Sequence, residues 1–157
     1  MSMRQEATIL LVEDDPNDIL LMQRAFNKAR LANPLEVVTD GEEAIAYLSG
    51  EGRFADRNRY PVPLMLLLDL KMPRRNGFEV LEWLKEHPEF NQIPVVVLTS
   101  SDQQPDVEKA FRLGARSYLT KPGRLEDLVS LMMRLQGYWL LLDRKPEKVE
   151  VLVSDDL

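Results

Sequence analysis

The hydrophobic positions along the chain alternate between short aliphatic runs and longer stretches with helical spacing. The run at 64–70 is apolar on both faces, which is typical of a parallel strand that helices cover on each side. All the aliphatic runs are predicted to be buried strands, and they lie at 7–13, 35–39, 64–70, 93–101 and 116–120.

Helices are predicted between and after these runs. Asp15 is suited to cap the first helix, with Pro16 as its first residue and Asp18 as an acid of its first turn. Positions 49–63 are polar and rich in turn residues, which predicts a long loop. Because strands and helices alternate, we predict an α/β protein, a doubly wound parallel sheet of five strands flanked by five helices. The helical spacing covers 18–31, 41–48, 77–87, 105–114 and 124–142.

The composition fits a single domain with a real core, since hydrophobic residues make up 45% of the 157 residues. No apolar run reaches the roughly 18 residues that a membrane span needs, so no membrane association is expected. The chain has no cysteine, which excludes disulfides and thiolate metal sites and fits the cytoplasm. The net charge of −6 argues against nucleic acid as a partner, because phosphate backbones attract basic surfaces.

Charged and hydroxyl residues lie at the carboxyl ends of the predicted strands or just after them. Glu13 and Asp14 lie at the end of the first strand, Asp69 of the third, Thr99 of the fourth and Lys121 of the fifth. These ends converge in a doubly wound sheet. Clustered carboxylates repel one another, by roughly 4 kcal/mol per pair at 4 Å and an effective dielectric near 20, unless a cation such as Mg²⁺ binds them.

This set of groups is suited to phosphoryl transfer. A lysine and a hydroxyl can contact phosphoryl oxygens, and a carboxylate can itself be the nucleophile. Asp69 is the candidate nucleophile, because it stands alone at the end of a fully apolar strand. The pattern therefore predicts metal-assisted transfer of a phosphoryl group onto an aspartate, while Asp15 is interpreted only as a helix cap.

Four segments, taken in chain order, resemble the response-regulator receiver family of two-component signalling, whose fold is flavodoxin-like. They are ILLVEDDP at 9–16, LLLDLKMPRRNGFEVL at 66–81, VVVLTSSD at 95–102 and GARSYLTKP at 114–122. The resemblance implies that Asp69 is the phosphoacceptor and a Mg²⁺ ligand. It makes Asp14 a direct ligand and Glu13 a ligand through water, and the Lys71 backbone carbonyl completes the metal site.

The resemblance also assigns the switch residues. Thr99 is the switch hydroxyl, Lys121 contacts the phosphate, Tyr118 is the switch aromatic, and the peptide bond before Pro122 is expected to be cis. A histidine kinase would phosphorylate Asp69, Tyr118 would swing inward, and the surface of helix 4, strand 5 and helix 5 would signal to a partner or a phosphotransfer protein. The protein would then not be an enzyme, beyond catalysing its own phosphorylation and dephosphorylation.

The long loop at 49–63 and the GYWLLL segment resemble the single-domain regulators that partner bacterial phytochrome-type kinases. We expect a receiver domain at 1–142, with its core at 7–142, and a tail at 143–157 without a further functional domain. The VEVLV segment of this tail has strand character. A homodimer is expected, in which aliphatic residues of helix 5 or the tail cross between subunits.

Three other functions use similar residues. A receiver fold that no longer uses phosphate would be a docking module. A phosphatase of the haloacid-dehalogenase type also has a strand-end aspartate, but it needs a second acid where this chain has Lys71. A flavodoxin-like cofactor binder needs a Ser/Thr/Gly-rich loop after the first strand, where this chain places three acids that would repel a flavin phosphate.

Overall fold

Five parallel strands form the sheet of the computed structural model, which describes residues 7–144 and the side chains of 7–139. The strands are β1 (Ile9–Val12), β2 (Leu35–Val38), β3 (Met65–Leu68), β4 (Val95–Thr99) and β5 (Ser117–Thr120). The helices are α1 (Pro16–Lys28), α2 (Gly41–Ser49), α3 (Gly77–Lys85), α4 (Gln104–Arg112) and α5 (Leu125–Arg144). The predicted fold class is therefore confirmed.

The strand order is β2-β1-β3-β4-β5. The chain adds β2 on one side of β1 and then β3, β4 and β5 on the other side, so the strand order reverses between β1 and β3. Val12, the last residue of β1, pairs with Leu68, the last residue of β3. Thr99 and Thr120 likewise pair at the ends of β4 and β5. Residues that follow these strands therefore meet at one edge, beside the reversal point where doubly wound sheets bind ligands.

The alternation of side chains along each strand builds two apolar cores. Leu10 and Val12 of β1 lie in the core under α2, α3 and α4, whereas Ile9 and Leu11 lie in the core under α1 and α5. The second core includes Trp139, which is fully buried and stacks on Phe26 at a centroid distance of 5.9 Å. The aromatic residues of α5, Tyr138 and Trp139, are thus part of the core.

Asn33 fixes the end of α5 to the rest of this core. Its Oδ1 accepts a hydrogen bond of 3.0 Å from Trp139 Nε1, and its Nδ2 donates to the Ala7 carbonyl at 2.8 Å. Asn33 is buried, so both of these bonds are protected from water.

The loop at 49–63 contains a short 3-10 helix, Gly52–Phe54, and is more ordered than its polar sequence suggests. The ring of Phe54 packs between Tyr47 and Tyr60, at centroid distances of 5.1 and 5.2 Å. Arg57 donates hydrogen bonds to the carbonyls of Tyr47 and Leu48, where α2 ends. The loop therefore covers the end of α2 with an aromatic cluster.

Helix starts were predicted better than the ends of the strands. Asp15 caps α1 through a 2.8 Å bond from the Asn17 N–H, and Pro16 is its first residue, as predicted. α5 continues two residues past 142, to Arg144, and the rest of the tail, 145–157, lies outside the described residues.

The bond before Pro122 is trans, as are all other peptide bonds between described residues, so the expected cis bond is wrong. Among the described helices, none has the length and apolar character of a membrane span.

Candidate functional site

Three carboxylates meet where β1 and β3 end. Oxygens of Glu13, Asp14 and Asp69 all lie within 4.8 Å of one another. Glu13 and Asp69 are buried, whereas Asp14 is exposed and opens the group to solvent. Carboxylate oxygens are the ligands that hard divalent cations prefer, so this acidic group fits such an ion.

Lys121 is the cation of the site. It follows β5, and its backbone N–H donates to the Thr99 carbonyl at 2.8 Å. Its Nζ lies 2.6 Å from Glu13 Oε1, 2.8 Å from Asp18 Oδ2 and 3.1 Å from Asp69 Oδ2. The ammonium group thus binds three carboxylates at once, one just after β1, one in α1 and one just after β3.

The Asp18 contact was not predicted. The sequence indicated only an acid in the first turn of α1, which interacts favourably with the helix dipole. The available signal was its position, one turn after the cap of a helix that begins at the acidic strand end. The contact with Lys121, 103 residues further along the chain, depends on the packing of α1 against α5.

Burial shapes the charge of this site. It raises the pKa of Glu13 to about 7, because the hydrogen bond from Lys121 offsets burial only in part and the negative charge of Asp69 adds to it. Burial alone would lower the pKa of Lys121, but its hydrogen bonds to Asp18 and Glu13 outweigh this effect and raise it. One protonated lysine therefore contacts three carboxyl groups, and Asp14 lies beside two of them, so acidic groups outnumber the single cation of the site.

Thr99 ends β4, the strand next to β3. Its side chain is fully buried, and its hydroxyl oxygen has no hydrogen-bond partner within the structure. A buried hydroxyl without a partner carries a desolvation cost, which makes such a group a donor available to a ligand. The next residue, Ser100, is exposed.

Tyr118 lies on β5 and points into the protein. Its hydroxyl donates to the Ser101 carbonyl at 2.8 Å, and burial raises its pKa. Ser101 in turn donates from Oγ to Asp106 in the first turn of α4, at 2.6 Å. The Tyr118 hydroxyl thus connects β5 with the loop before α4.

The remaining predicted residue, Lys71, has an exposed side chain. Its backbone N–H lies 3.5 Å from Asp69 Oδ1, which brings the Lys71 backbone beside the acidic group. Of the residues predicted from the sequence, Glu13, Asp14, Asp69 and Lys121 are gathered at one point. Tyr118 contacts the loop before α4 instead.

Comparisons with known proteins identify the family to which this chain belongs. The family model for the response regulator receiver domain matches residues 9–133. Response regulator Rcp1 of Synechocystis sp. is 37% identical over 132 residues, which cover 84% of this chain and 88% of Rcp1. The probable methanogenesis regulatory protein FilR2 of Methanothrix harundinacea is 38% identical over 138 residues, 88% of this chain and 86% of FilR2.

Solved structures of response regulators are also similar to this chain. The phosphorylated cyanobacterial phytochrome response regulator RcpA is 34% identical, with a TM-score of 0.79 over 92% of this chain and 98% of RcpA. The Mn²⁺-bound form of Rcp1 is 35% identical, with a TM-score of 0.75 over 93% of this chain and 99% of Rcp1. This chain therefore belongs to the response regulator receiver family, a family of signalling proteins, and is homologous to phytochrome response regulators.

Proposed function

We propose that this receiver takes a phosphoryl group from a histidine kinase onto Asp69 and signals through the surface of α4, β5 and α5. One observation carries the proposal: the acidic group of Glu13, Asp14 and Asp69 converges on Lys121 at the carboxyl edge of the sheet. Family membership supports the same reading, since the receiver domain is the phosphoacceptor module of two-component signalling.

The acidic group, with the Lys71 backbone carbonyl, would hold Mg²⁺. The donor set fits, because it offers only oxygen ligands and because the four carboxyl groups near Lys121 exceed its single positive charge. When bound, the ion would neutralise charge on the carboxylates and on the incoming phosphoryl oxygens. A homologue, Rcp1, has been solved in a Mn²⁺-bound form, which supports binding of a divalent cation.

The protein groups then perform the transfer. A carboxylate oxygen of Asp69 attacks phosphorus in line with the P–N bond of the phosphohistidine, and this bond breaks as the P–O bond forms. The electron pair leaves on the imidazole nitrogen. Lys121 moves from its carboxylate partners to one phosphoryl oxygen, and the Thr99 hydroxyl donates to another. Attack by water later releases phosphate, so the chain catalyses only its own phosphorylation and dephosphorylation.

The switch follows from the hydrogen bond that Thr99 lacks. When the Thr99 side chain moves toward the phosphoryl group, its hydroxyl gains a hydrogen-bond partner. The space that it leaves beside β4 favours the inward position of Tyr118. That position is held by the bond from Tyr118 to Ser101, next to the start of α4. Phosphorylation would thereby shift the population of α4 conformations that a partner protein or a phosphotransfer protein recognises.

The kinase partner proposed here is of the phytochrome type, and the protein would act in the cytoplasm. Similarity to Rcp1 and RcpA supports this class of kinase. FilR2, named for a role in methanogenesis, is similarly close in sequence, so phosphotransfer from a phytochrome kinase is the assay that decides the class.

The first test is phosphorylation of the purified chain by acetyl phosphate, followed by intact mass. We expect a gain of one phosphate in the presence of Mg²⁺, labile to base, and no gain when EDTA removes the ion. The reason is that the clustered carboxylates repel both each other and the phosphoryl donor until a cation binds. An unmodified mass in Mg²⁺, from protein shown to be folded by circular dichroism, would overturn the proposal in favour of a phosphate-independent docking module.

We also propose a homodimer through α5 or the tail. Within the described part of α5, Met133 is an exposed large hydrophobic side chain, and Leu20 is another on the adjacent α1. Sedimentation equilibrium should show a dimer at tens of micromolar for the full chain, and a weaker one after truncation behind Arg144. Monomers in both samples at that concentration would remove the dimer.

A further inference from the structure

The loop between β3 and α3, residues 69–76, carries two of the proposed metal ligands, Asp69 and the Lys71 carbonyl. Half of this loop is exposed, including the side chains at 73–75. An exposed loop keeps a single conformation only where specific contacts fix it. The contacts that fix this one therefore decide where the Lys71 carbonyl lies.

Two of these contacts come from the start of α2. The Nε of Arg74 donates to Asp40 Oδ2 at 2.7 Å, and the Gly41 N–H donates to the Arg75 carbonyl at 2.9 Å. The other oxygen of Asp40 accepts the Glu43 N–H at 2.7 Å and so caps α2. Asp40 is only 1% exposed, so Arg74 is bound to a carboxylate that water scarcely reaches.

The backbone of Arg74 has an unusual conformation. Its φ of 63° lies in the left-handed region, which residues with a side chain seldom adopt and glycine adopts freely. The contact with Asp40 contributes to holding Arg74 in this conformation. The hydrogen bonds from Glu43 and Arg74 outweigh burial and hold the pKa of Asp40 below its usual value. Without Arg74, Asp40 would keep the hydrogen bond from the Glu43 N–H at the start of α2, so its carboxylate would stay partly compensated.

We propose that Asp40 and Arg74 form a clamp that positions the Lys71 carbonyl, and with it Asp69, for cation binding. The proposal rests on the proposed function, because it requires a cation at the acidic group. Both members of this Asp40–Arg74 clamp are positioning residues, since each acts through the loop backbone and neither belongs to the acidic group. Their place outside that group explains why the local sequence pattern does not reveal them.

Arg74→Gly separates the clamp from the backbone strain, because glycine suits a φ of 63° but has no guanidinium group. We expect the Mg²⁺ dissociation constant, measured by calorimetric titration with MgCl₂, to rise about tenfold, as for other residues that orient metal ligands. The melting temperature without Mg²⁺ should not fall. Phosphorylation by acetyl phosphate should need correspondingly more Mg²⁺, whereas its rate at saturating Mg²⁺ should change much less. Arg74→Lys should recover part of the affinity.

Arg75→Ala is the matched control. It removes the same charge from the adjacent residue and keeps the backbone carbonyl that Gly41 binds. Losing a positive charge near a cation site should strengthen Mg²⁺ binding slightly, so charge alone predicts the opposite of the effect expected for Arg74→Gly. Adding Asp40→Asn to Arg74→Gly should weaken binding little further, since the two residues act as one pair.

The outcomes separate the clamp from the function on which it rests. A wild-type chain that binds no Mg²⁺ overturns the metal site and the clamp together. A wild-type chain that binds Mg²⁺, with equal affinity in Arg74→Gly, overturns the clamp alone. The clamp is likewise overturned if Arg75→Ala weakens binding as much as Arg74→Gly does.

Discussion

Asparagine in place of Asp69 is expected to abolish phosphoryl acceptance and also to raise the melting temperature of the Mg²⁺-free protein. An amide has the size of the carboxylate but lacks the anionic oxygen that attacks phosphorus. The same change removes one negative charge from the acidic group of Glu13, Asp14 and Asp69. The charge of Asp69 already acts against ionisation of Glu13, which shows that the two repel each other.

The expected gain in stability is the repulsion energy that the change removes, less the attraction between Asp69 and Lys121 that it also removes. Lys121 loses a contact of 3.1 Å but keeps the closer ones to Glu13 and Asp18, so the relief dominates. We expect a net gain of about 1 kcal/mol, or about 2–4 °C in melting temperature for a chain of this length. Calorimetric unfolding in EDTA measures it.

Added Mg²⁺ should reduce or reverse the difference between the two proteins. A ligand that binds only the folded state stabilises it in proportion to the logarithm of its concentration over its dissociation constant. Asp69 is a proposed ligand, and an amide binds Mg²⁺ less well than a carboxylate, so the wild type should gain more from Mg²⁺. Glu82→Gln, on the exposed surface of α3, removes one negative charge away from the site and should leave both measurements nearly unchanged. A phosphate still gained by Asp69→Asn would contradict the assignment of the acceptor.

The sequence predicted those parts of the site that follow strands directly. Glu13, Asp14 and Asp69 are placed by strand ends alone, because all strands of a parallel sheet finish at one edge. The start of α1 could equally be predicted from the sequence, since a cap and a proline at the first helical position are local signals. These features depend on the order of elements and on residues adjacent in the chain.

Contacts between distant residues could not be predicted in this way. The bond from Trp139 to Asn33 joins residues 106 positions apart, and the Arg74 bond to Asp40 joins residues 34 apart. Hydrophobic periodicity shows which face of a helix is buried, but it carries no information on which polar atom a buried side chain will reach. Asp18 was missed for this reason, although its helix was predicted correctly.

Gly77→Ala is expected to lower the free energy of unfolding by about 3 kcal/mol, the upper end of the usual cost of overpacking. A Cβ atom at Gly77 would lie 2.4 Å from the Asp69 carbonyl oxygen and 2.8 Å from the Leu70 Cα. Both are backbone atoms at the end of β3, so no side-chain rotation relieves the clash. The N–H of Gly77 also donates to the Leu70 carbonyl at 2.9 Å, which holds α3 against this segment.

The clash is also expected to displace Asp69, the proposed phosphoacceptor. To admit the new methyl group, either α3 must shift or the backbone of Asp69 must move relative to Glu13 and Lys121. Urea unfolding with calorimetric Mg²⁺ titration should therefore show lower stability and weaker Mg²⁺ binding together. Gly137→Ala is the matched control, because a Cβ there meets nothing within 4 Å. Alanine within α5 should raise stability by up to about 1 kcal/mol and leave Mg²⁺ binding unchanged. Equal stability and Mg²⁺ affinity in Gly77→Ala and wild type would show that α3 does not constrain Asp69.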